Sequence, residues 1–312
     1  MKEKKTYKVM MSNMAQDSAI VRELSEEEQR SLKSCVLEMF QDVLAVCKQH
    51  NISIMLGGGS ALGSVRHQGF IPWDDDLDLL MPRRDYDRFA SVFQEELSEK
   101  YLLIAPNRDL PAKTRFPKII KKNTMLKELT DIHNGYCYGI FLDIFILENA
   151  PKTMLGRRIK GLLCNGLMFM GSQAFWYEHS CEEVKRFMST TAGGQKSYRR
   201  IMTFGRLCAL LPSRKWFNLV DKAVQGKKDT GFWGIPTGRK HYMGEILPQS
   251  VFVPVMKGIF EGMEVPLPGD YDAYLRNLYG NYMEIPPIEK RERHLIVDFS
   301  LNCDENDIEG KS

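Results

Sequence analysis

The chain has no paired-cysteine motif. Its seven cysteines (35, 47, 137, 164, 181, 208 and 303) are scattered, odd in number and without a CxxC spacing. That pattern argues against a disulfide framework or a zinc site and fits a reducing cytoplasm. No apolar run reaches the ~18 residues of a membrane-spanning helix, so none is expected. The basic N-terminus, MKEKKTYKVMMSNMAQ, is not followed by an apolar stretch and does not read as a secretory signal. Internal repeats are absent, as is any aromatic-interleaved basic repeat, so no nucleic-acid partner is expected. A strong overall charge is lacking too: 43 Lys and Arg face 40 Asp and Glu, for a net +3.

What remains is an ordinary globular composition of 312 residues, 43% hydrophobic and 10% aromatic. Such a chain can bury a large core as one elaborated domain or two. Its charge is unevenly spread. From Lys185 to Lys240 there are thirteen Lys and Arg against two acids, Asp221 and Asp229. A basic half of this kind suits an anionic partner, such as a phosphorylated substrate or an acidic lipid surface; a solvated helical face is the plainer alternative.

Ser25 and Glu28 form a capping box that starts a helix running to about His50, with Leu32, Val36, Met39, Val43 and Val46 on one face. Ile52 to Leu56 reads as a strand, Gly57-Gly58-Gly59 as a turn, and Ser60 as the cap of a short helix to Arg66. Asp76 to Met81 is predicted as a strand, followed after Pro82 by an amphipathic helix carrying Tyr86, Phe89 and Phe93. Further strands are predicted over Tyr101–Ala105, Phe116–Lys121 and Gly139–Leu147. The expected fold class is therefore α/β (α+β), a mixed sheet core with a helical, basic subdomain. The expected division is an N-terminal extension (1–24), a catalytic core (25–150), a basic helical insertion (151–230), a C-terminal segment completing the site (231–302) and a disordered acidic tail (303–312). Within the insertion, Ile159, Leu162, Leu163, Gly166, Leu167 and Met170 recur at helical spacing after Lys152, Arg157, Arg158 and Lys160. A core-facing helix is the expectation, with an interfacial membrane helix as the alternative.

The chemistry concentrates between Gly57 and Asp78. On an extended strand residues i and i+2 share a face, so Asp76 and Asp78 project together while Leu77 and Leu79 face the core. Like charges so close repel unless neutralised, and hard carboxylate oxygens suit Mg²⁺ or Mn²⁺. Asp74 and Asp75 flank this pair. In GIFLDIFIL, Asp143 is the only polar side chain between Gly139 and Glu148. A buried carboxylate there needs a cation, a metal or a proton. The Gly58-Gly59-Ser60 turn at a helix N-terminus could cradle phosphate. Arg66, His67 and Lys118 could add positive charge, and Trp73 could position substrate or simply pack. The residues themselves point to metal-dependent transfer of a phosphate-containing group.

The run GGGSALGSVRHQGFIPWDDDLDLLMPRRDYDRF resembles the signature of the LicD family, phosphotransferases of nucleotidyltransferase-like fold related to the fukutin group. The likeness continues through Lys118 with Asn123-Thr124, the segment around Asp143, and VPLPGDYDAYLRNLYGNYMEIPP with Glu289, Lys290, Arg291 and His294. It spans about Ile52 to His294 and is weakest in the basic middle. Asn281 departs from an Asp common in the family, and Ala61 stands where a larger residue is common. The resemblance implies catalytic and metal-binding roles for Asp76, Asp78 and Asp143. Gly58, Gly59, Ser60, Arg66, His67, Trp73, Lys118, Lys290 and His294 would contact substrate or phosphate. It implies Mg²⁺ or Mn²⁺ as cofactor, a CDP-alcohol donor such as CDP-choline, and a cell-surface glycan or lipid-linked glycan as acceptor, with CMP leaving. A cytoplasmic enzyme with peripheral contact at the inner membrane face would meet both. Nucleotidyl transfer to a small alcohol and a non-catalytic glycan or membrane-surface module are the alternatives.

Overall fold

The computed structural model describes residues 20–108, 114–131, 139–292 and 294–303. The expected acidic tail from residue 304, and most of the N-terminal extension, lie outside the described residues. Helix α1 (Glu26–Gln49) opens the fold with both halves of the Ser25–Glu28 capping box formed, and it ends where Asn51 turns left-handed. Its stripe of Leu32, Val36, Met39, Phe40 and Val43 is buried against the sheet. Strand β1 (Met55–Leu56) and helix α2 (Gly58–His67) follow, then β2 (Asp78–Pro82), α3 (Arg83–Glu96), β3 (Tyr101–Ile104), β4 (Lys118–Lys121), β5 (Met125–Glu128) and β6 (Phe141–Asn149).

The main sheet has the order β1-β2-β6-β4-β3, so the fold is α/β with a mixed sheet. β2 and β6 are parallel; β1 with β2, β4 with β6, and β3 with β4 are antiparallel. The far end of β6 also pairs with β7 (Phe232–Gly234), which in turn pairs with β8 (Ile246–Pro248). Two small ribbons complete the strands: β9 (Met256–Phe260) with β10 (Met263–Leu267), and β5 with β11 (Ile296–Ser300). β5 and β11 have no counterpart in the sequence reading, because neither strand carries a clear alternation and their partners lie far apart in the chain. Helix α9 (Tyr271–Tyr279), capped by Asp270 and stopped at Gly280 with φ +69°, packs near α2.

The predicted basic insertion is helical: α4 (Met154–Glu178), α5 (Glu182–Ser189), α6 (Ala192–Cys208) and α7 (Ser213–Val224), followed by the short α8 (His241–Gly244). These helices contribute to two smaller cores, the first of which also takes in Val21 and Leu129. One gathers Val184, Phe187, Met188 and Ile201; the other gathers Cys164, Met168, Phe217, Val220 and Tyr242.

The expectation for the stripe on α4 is corrected. The buried face is Gly161, Cys164, Met168, Gly171 and Ala174, while Ile159, Leu162 and Leu163 are exposed. Small residues win the inner face because they let neighbours approach: a Cβ at Gly171 would press on Phe217 and Trp216, and one at Gly161 on Tyr242 and Met243. The large apolar side chains are left outside. No helix among the described residues is long and apolar enough to cross a membrane.

Candidate active site

The site grows from the register of three neighbouring strands. Asp78 at the start of β2 stands opposite Asp143 on β6, and Asp143 stands opposite Lys118 on β4. Directly paired residues share a sheet face, so two carboxylates and one ammonium form a row. Lys118 Nζ lies 2.8 Å from Asp143 Oδ1 and 3.4 Å from the centre of the Phe141 ring. Asp143 is 7% exposed, and burial pushes its carboxyl up while Lys118 draws it down. Burial pulls the Lys118 ammonium down, but Asp143 and Glu128 outweigh it, so Lys118 stays charged.

The strand begins at Asp78 rather than Asp76, yet the alternation holds: Leu77 and Leu79 are fully buried and Asp76 and Asp78 are not. The glycine turn sets the carboxylates in place. Gly59 N–H donates to Asp78 Oδ2 at 3.4 Å, and Asp78 N–H donates to Ser60 Oγ at 2.8 Å. Ser60 therefore anchors β2 rather than capping α2, whose N-cap is Gly57 without a side-chain cap. Gly58 N–H donates to the Tyr274 hydroxyl at 2.9 Å. Gly58 is left-handed at φ +45°, and a Cβ there would collide with the Asp78 carboxylate; a Cβ on Gly59 would come within 2.6 Å of Asp74 Oδ2. The glycines thus allow the acidic loop to lie against the helix start. Gly58→Ala is expected to displace the Asp78 carboxylate and cut turnover by roughly a hundredfold. Steady-state rates beside a thermal melt would check this, and unchanged turnover in a folded variant would refute it.

Asp74 belongs to the cluster more closely than the sequence reading placed it. Burial, then the charges of Asp76, Asp78 and Asp75, push its carboxyl well above the usual range. Only the fold carries that signal, since Asp74 lies off the strand. Glu128 is a second group missed from sequence. His294 Nε2 lies 3.0 Å from Asp76 Oδ2 and its Nδ1 lies 3.1 Å from Glu128 Oε1, so the imidazole bridges the acidic loop to β5. Burial would lower His294, but Asp75, Asp76 and Glu128 hold it well above its ordinary value as an imidazolium. Tyr279 is half-buried nearby, and desolvation, then Asp78 and Asp74, raise its phenol.

The C-terminal segment closes over this ground. Arg66 Nη1 donates to the Tyr282 carbonyl at 2.7 Å, and Arg66 Nε to His67 Nε2 at 2.9 Å. The Arg291 guanidinium lies 4.0 Å from the Trp73 ring centre, and that of Arg66 lies 5.9 Å from it. Arg66, His67 and Trp73 thus tie α2 to residues 282–291, beside the acidic loop. Lys290 is exposed at the end of a 3₁₀ turn (Ile288–Lys290). Of the sequence-predicted set, the fold brings together Asp76, Asp78, Asp143, Lys118 and His294 around the glycine turn.

The residues present fit a divalent cation in donor chemistry. Four aspartates, 74, 76, 78 and 143, supply hard oxygens, and burial followed by the charges of Asp76, Asp78 and Asp75 raises the Asp74 carboxyl. Among the described residues, no group of three His, Cys, Asp or Glu side chains is already gathered in ligand array. His294 meets Asp76, and Lys118 meets Asp143.

The family model for the LicD/FKTN/FKRP nucleotidyltransferase domain matches residues 51–154, the stretch that carries the acidic loop, the glycine turn, Lys118 and Asp143. This stretch is a LicD-family nucleotidyltransferase domain. The chain is 29% identical over 287 residues to the lipopolysaccharide cholinephosphotransferase LicD of Haemophilus influenzae, covering 89% of this chain and 98% of that protein. A shorter likeness, 33% over 72 residues, joins it to an uncharacterized protein of Rickettsia typhi, across 23% of this chain and 22% of that one. The match to the Haemophilus protein, over 89% of this chain, thus extends well beyond the family domain.

Proposed function

We propose that this chain is a phosphotransferase that moves a phosphocholine-like group from a CDP-alcohol to a hydroxyl of a cell-surface glycan or its lipid-linked precursor. The observation that carries the reading is the row Asp78–Asp143–Lys118 meeting the Asp74–Asp76–His294 loop, in a chain similar to a lipopolysaccharide cholinephosphotransferase along nearly its whole length. The acceptor oxygen would bond to the phosphorus bearing the alcohol, the bond from that phosphorus to the bridging oxygen would break, and CMP would leave.

Asp76 and Asp78, with Asp74 and Asp143, would hold Mg²⁺ or Mn²⁺. Such an ion would neutralise the donor diphosphate and the charge that develops on the leaving oxygen. The remaining work falls to the chain. Asp143, raised by burial, either completes the ion's ligand set or takes the acceptor hydroxyl proton at a carboxylate oxygen. Lys118 and the imidazolium of His294 bring fixed positive charge to an anionic donor. Gly58 and Ser60 spend an N–H and a hydroxyl on Tyr274 and Asp78, so their part in this scheme is to place Asp78. Trp73, held under Arg291, walls the acidic loop. The reaction would run in the cytoplasm, where nucleotide-activated alcohols are made.

A screen for CMP release across CDP-choline, CDP-glycerol and CDP-ribitol, with Mg²⁺ or Mn²⁺ and lipopolysaccharide acceptors, tests the proposal. CMP with acceptor-dependent stoichiometry is the expected result. A second reading, nucleotidyl transfer to a small alcohol, is favoured by the nucleotidyltransferase character of the matched domain. It would yield a nucleotide-labelled acceptor and pyrophosphate instead.

A further inference from the structure

Helix α4 carries an apolar stripe that the fold covers for only half its length. Leu155, Ile159, Leu162, Gly166 and Phe169 recur at i, i+4, i+7, i+11 and i+14, which places them on one helix face. Toward the C-terminal end, α6 lies over this side: Gly205 packs on Tyr177 and Gln173, and Cys208 Sγ is 3.6 Å from Met170 Sδ. α6 then ends at Cys208. Beyond that point the stripe continues bare, with Leu155 68% and Leu162 80% exposed, and Leu210 at the end of α6 is 82% exposed. Contiguous apolar surface of this kind is rare on a protein that meets only water.

The charge around it selects the occupant. From Met154 to Tyr177, α4 contains no acidic residue, and Arg158 is exposed on the stripe's edge. Lys152 precedes the helix and is exposed, and Arg206, in the last turn of α6 where that helix reaches Met170, is exposed too. An apolar face rimmed by cations matches an anionic bilayer, whose acyl boundary takes the leucines and whose phosphates meet the Lys and Arg. A second copy of the same surface would bring two positive rims together. A disordered acidic segment would satisfy the rim but not bury the stripe.

We propose that the N-terminal half of α4, with the end of α6, docks this protein onto the surface of an anionic lipid bilayer, lying in the interface without crossing it. The proposal stands on the exposed face and its charge, and is independent of which group the active site transfers. Sedimentation with vesicles of phosphatidylethanolamine and 30% phosphatidylglycerol, against pure phosphatidylcholine vesicles, tests it. The full chain is expected to bind the anionic vesicles, more weakly as salt rises, and to bind the neutral ones at least about tenfold less. Leu155→Glu with Leu162→Glu should lower binding to anionic vesicles by roughly tenfold or more. Both side chains are exposed, so the variant is expected to keep the wild-type circular dichroism spectrum and melting profile. Arg158→Glu should lower binding in the same direction. Absence of binding to anionic vesicles, or binding untouched by the paired leucine substitution in a folded protein, overturns the proposal. So does a dimer in size-exclusion chromatography that the leucine substitution dissolves, since that would assign the face to a second copy.

Discussion

Asp78→Asn and Asp76→Asn are each expected to lower transfer by roughly a factor of 10²–10³ while leaving the fold intact. The reasoning rests on what each oxygen does. At Asp78 the asparagine amide oxygen can still accept the Gly59 N–H, and the backbone bonds from Asp78 to Ser60 and Gly57 do not involve the side chain. Asparagine therefore keeps the shape and deletes the charge. Burial, then the neighbouring carboxylates, raise the Asp74 carboxyl, so removing one charge from the cluster lowers the repulsion it feels. Stability should stay level or rise. Asp74→Asn should show the same divergence, with a higher melting temperature and a lower rate, because burial and then the charges of Asp76, Asp78 and Asp75 disfavour its ionised carboxyl. That opposition between stability and activity is the signature of a site that holds charge for a ligand. Asp76→Asn differs in one respect, because it also removes the carboxylate that His294 meets. Rates of CMP release beside thermal melts would check all three. Near-normal CMP release from a folded Asp78→Asn protein would sink the assignment.

Arg83→Met is expected to cost about 3–5 kcal/mol of stability, the largest structural effect of any single change considered. Arg83, at the start of α3, donates from Nε to Glu148 Oε1 at 2.8 Å and from Nη2 to both Glu148 and Asp221, the latter at 2.7 Å. Glu148 is 2% exposed at the end of β6, and Asp221 belongs to α7. The guanidinium thus clamps the central sheet to the helical insertion. Burial pushes Glu148 up to about 7 even with Arg83 beside it. Without the arginine the carboxyl would rise further above its unfolded value. The folded variant would then hold a proton that the unfolded chain releases, so its stability would fall as pH climbs through and beyond about 7. The deficit relative to wild type should accordingly be smaller at pH 6 than at pH 8. Adding Glu148→Gln should recover part of the loss, since a neutral amide needs no counter-ion. Urea unfolding at the two pH values would show it. A deficit independent of pH would mean that Glu148 is not the group left stranded.

Much of the local structure was legible along the chain. The Ser25–Glu28 box and the buried stripe of α1 depend on residues within one or two turns of each other, and each formed as read. The alternation around Leu77 and Leu79 is equally local. The sequence reading failed where a choice depended on distant partners. Ile52–Leu56 shortens to Met55–Leu56, because only those two residues find Leu79 and Leu80 across the sheet. β5 and β11 become strands only through each other, and with them Glu128 reaches His294. The stripe of α4 was periodic in sequence, but periodicity does not say which face the rest of the molecule will cover.

By itself, then, the sequence determined the inventory: the acidic run beside a glycine turn, the lone carboxylate in an apolar strand, the basic middle, and the LicD signature that joins them. Tertiary structure decided the arrangement. The sheet order β1-β2-β6-β4-β3 set Asp78, Asp143 and Lys118 in one row, and the returning C-terminal segment brought His294 to Asp76. Close helix packing through glycines decided that the leucines of α4 point outward. The physical reason is common to all of these. Propensity and capping act over a few residues, whereas strand pairing and helix packing are settled by surfaces that meet only once the whole chain has closed on its core.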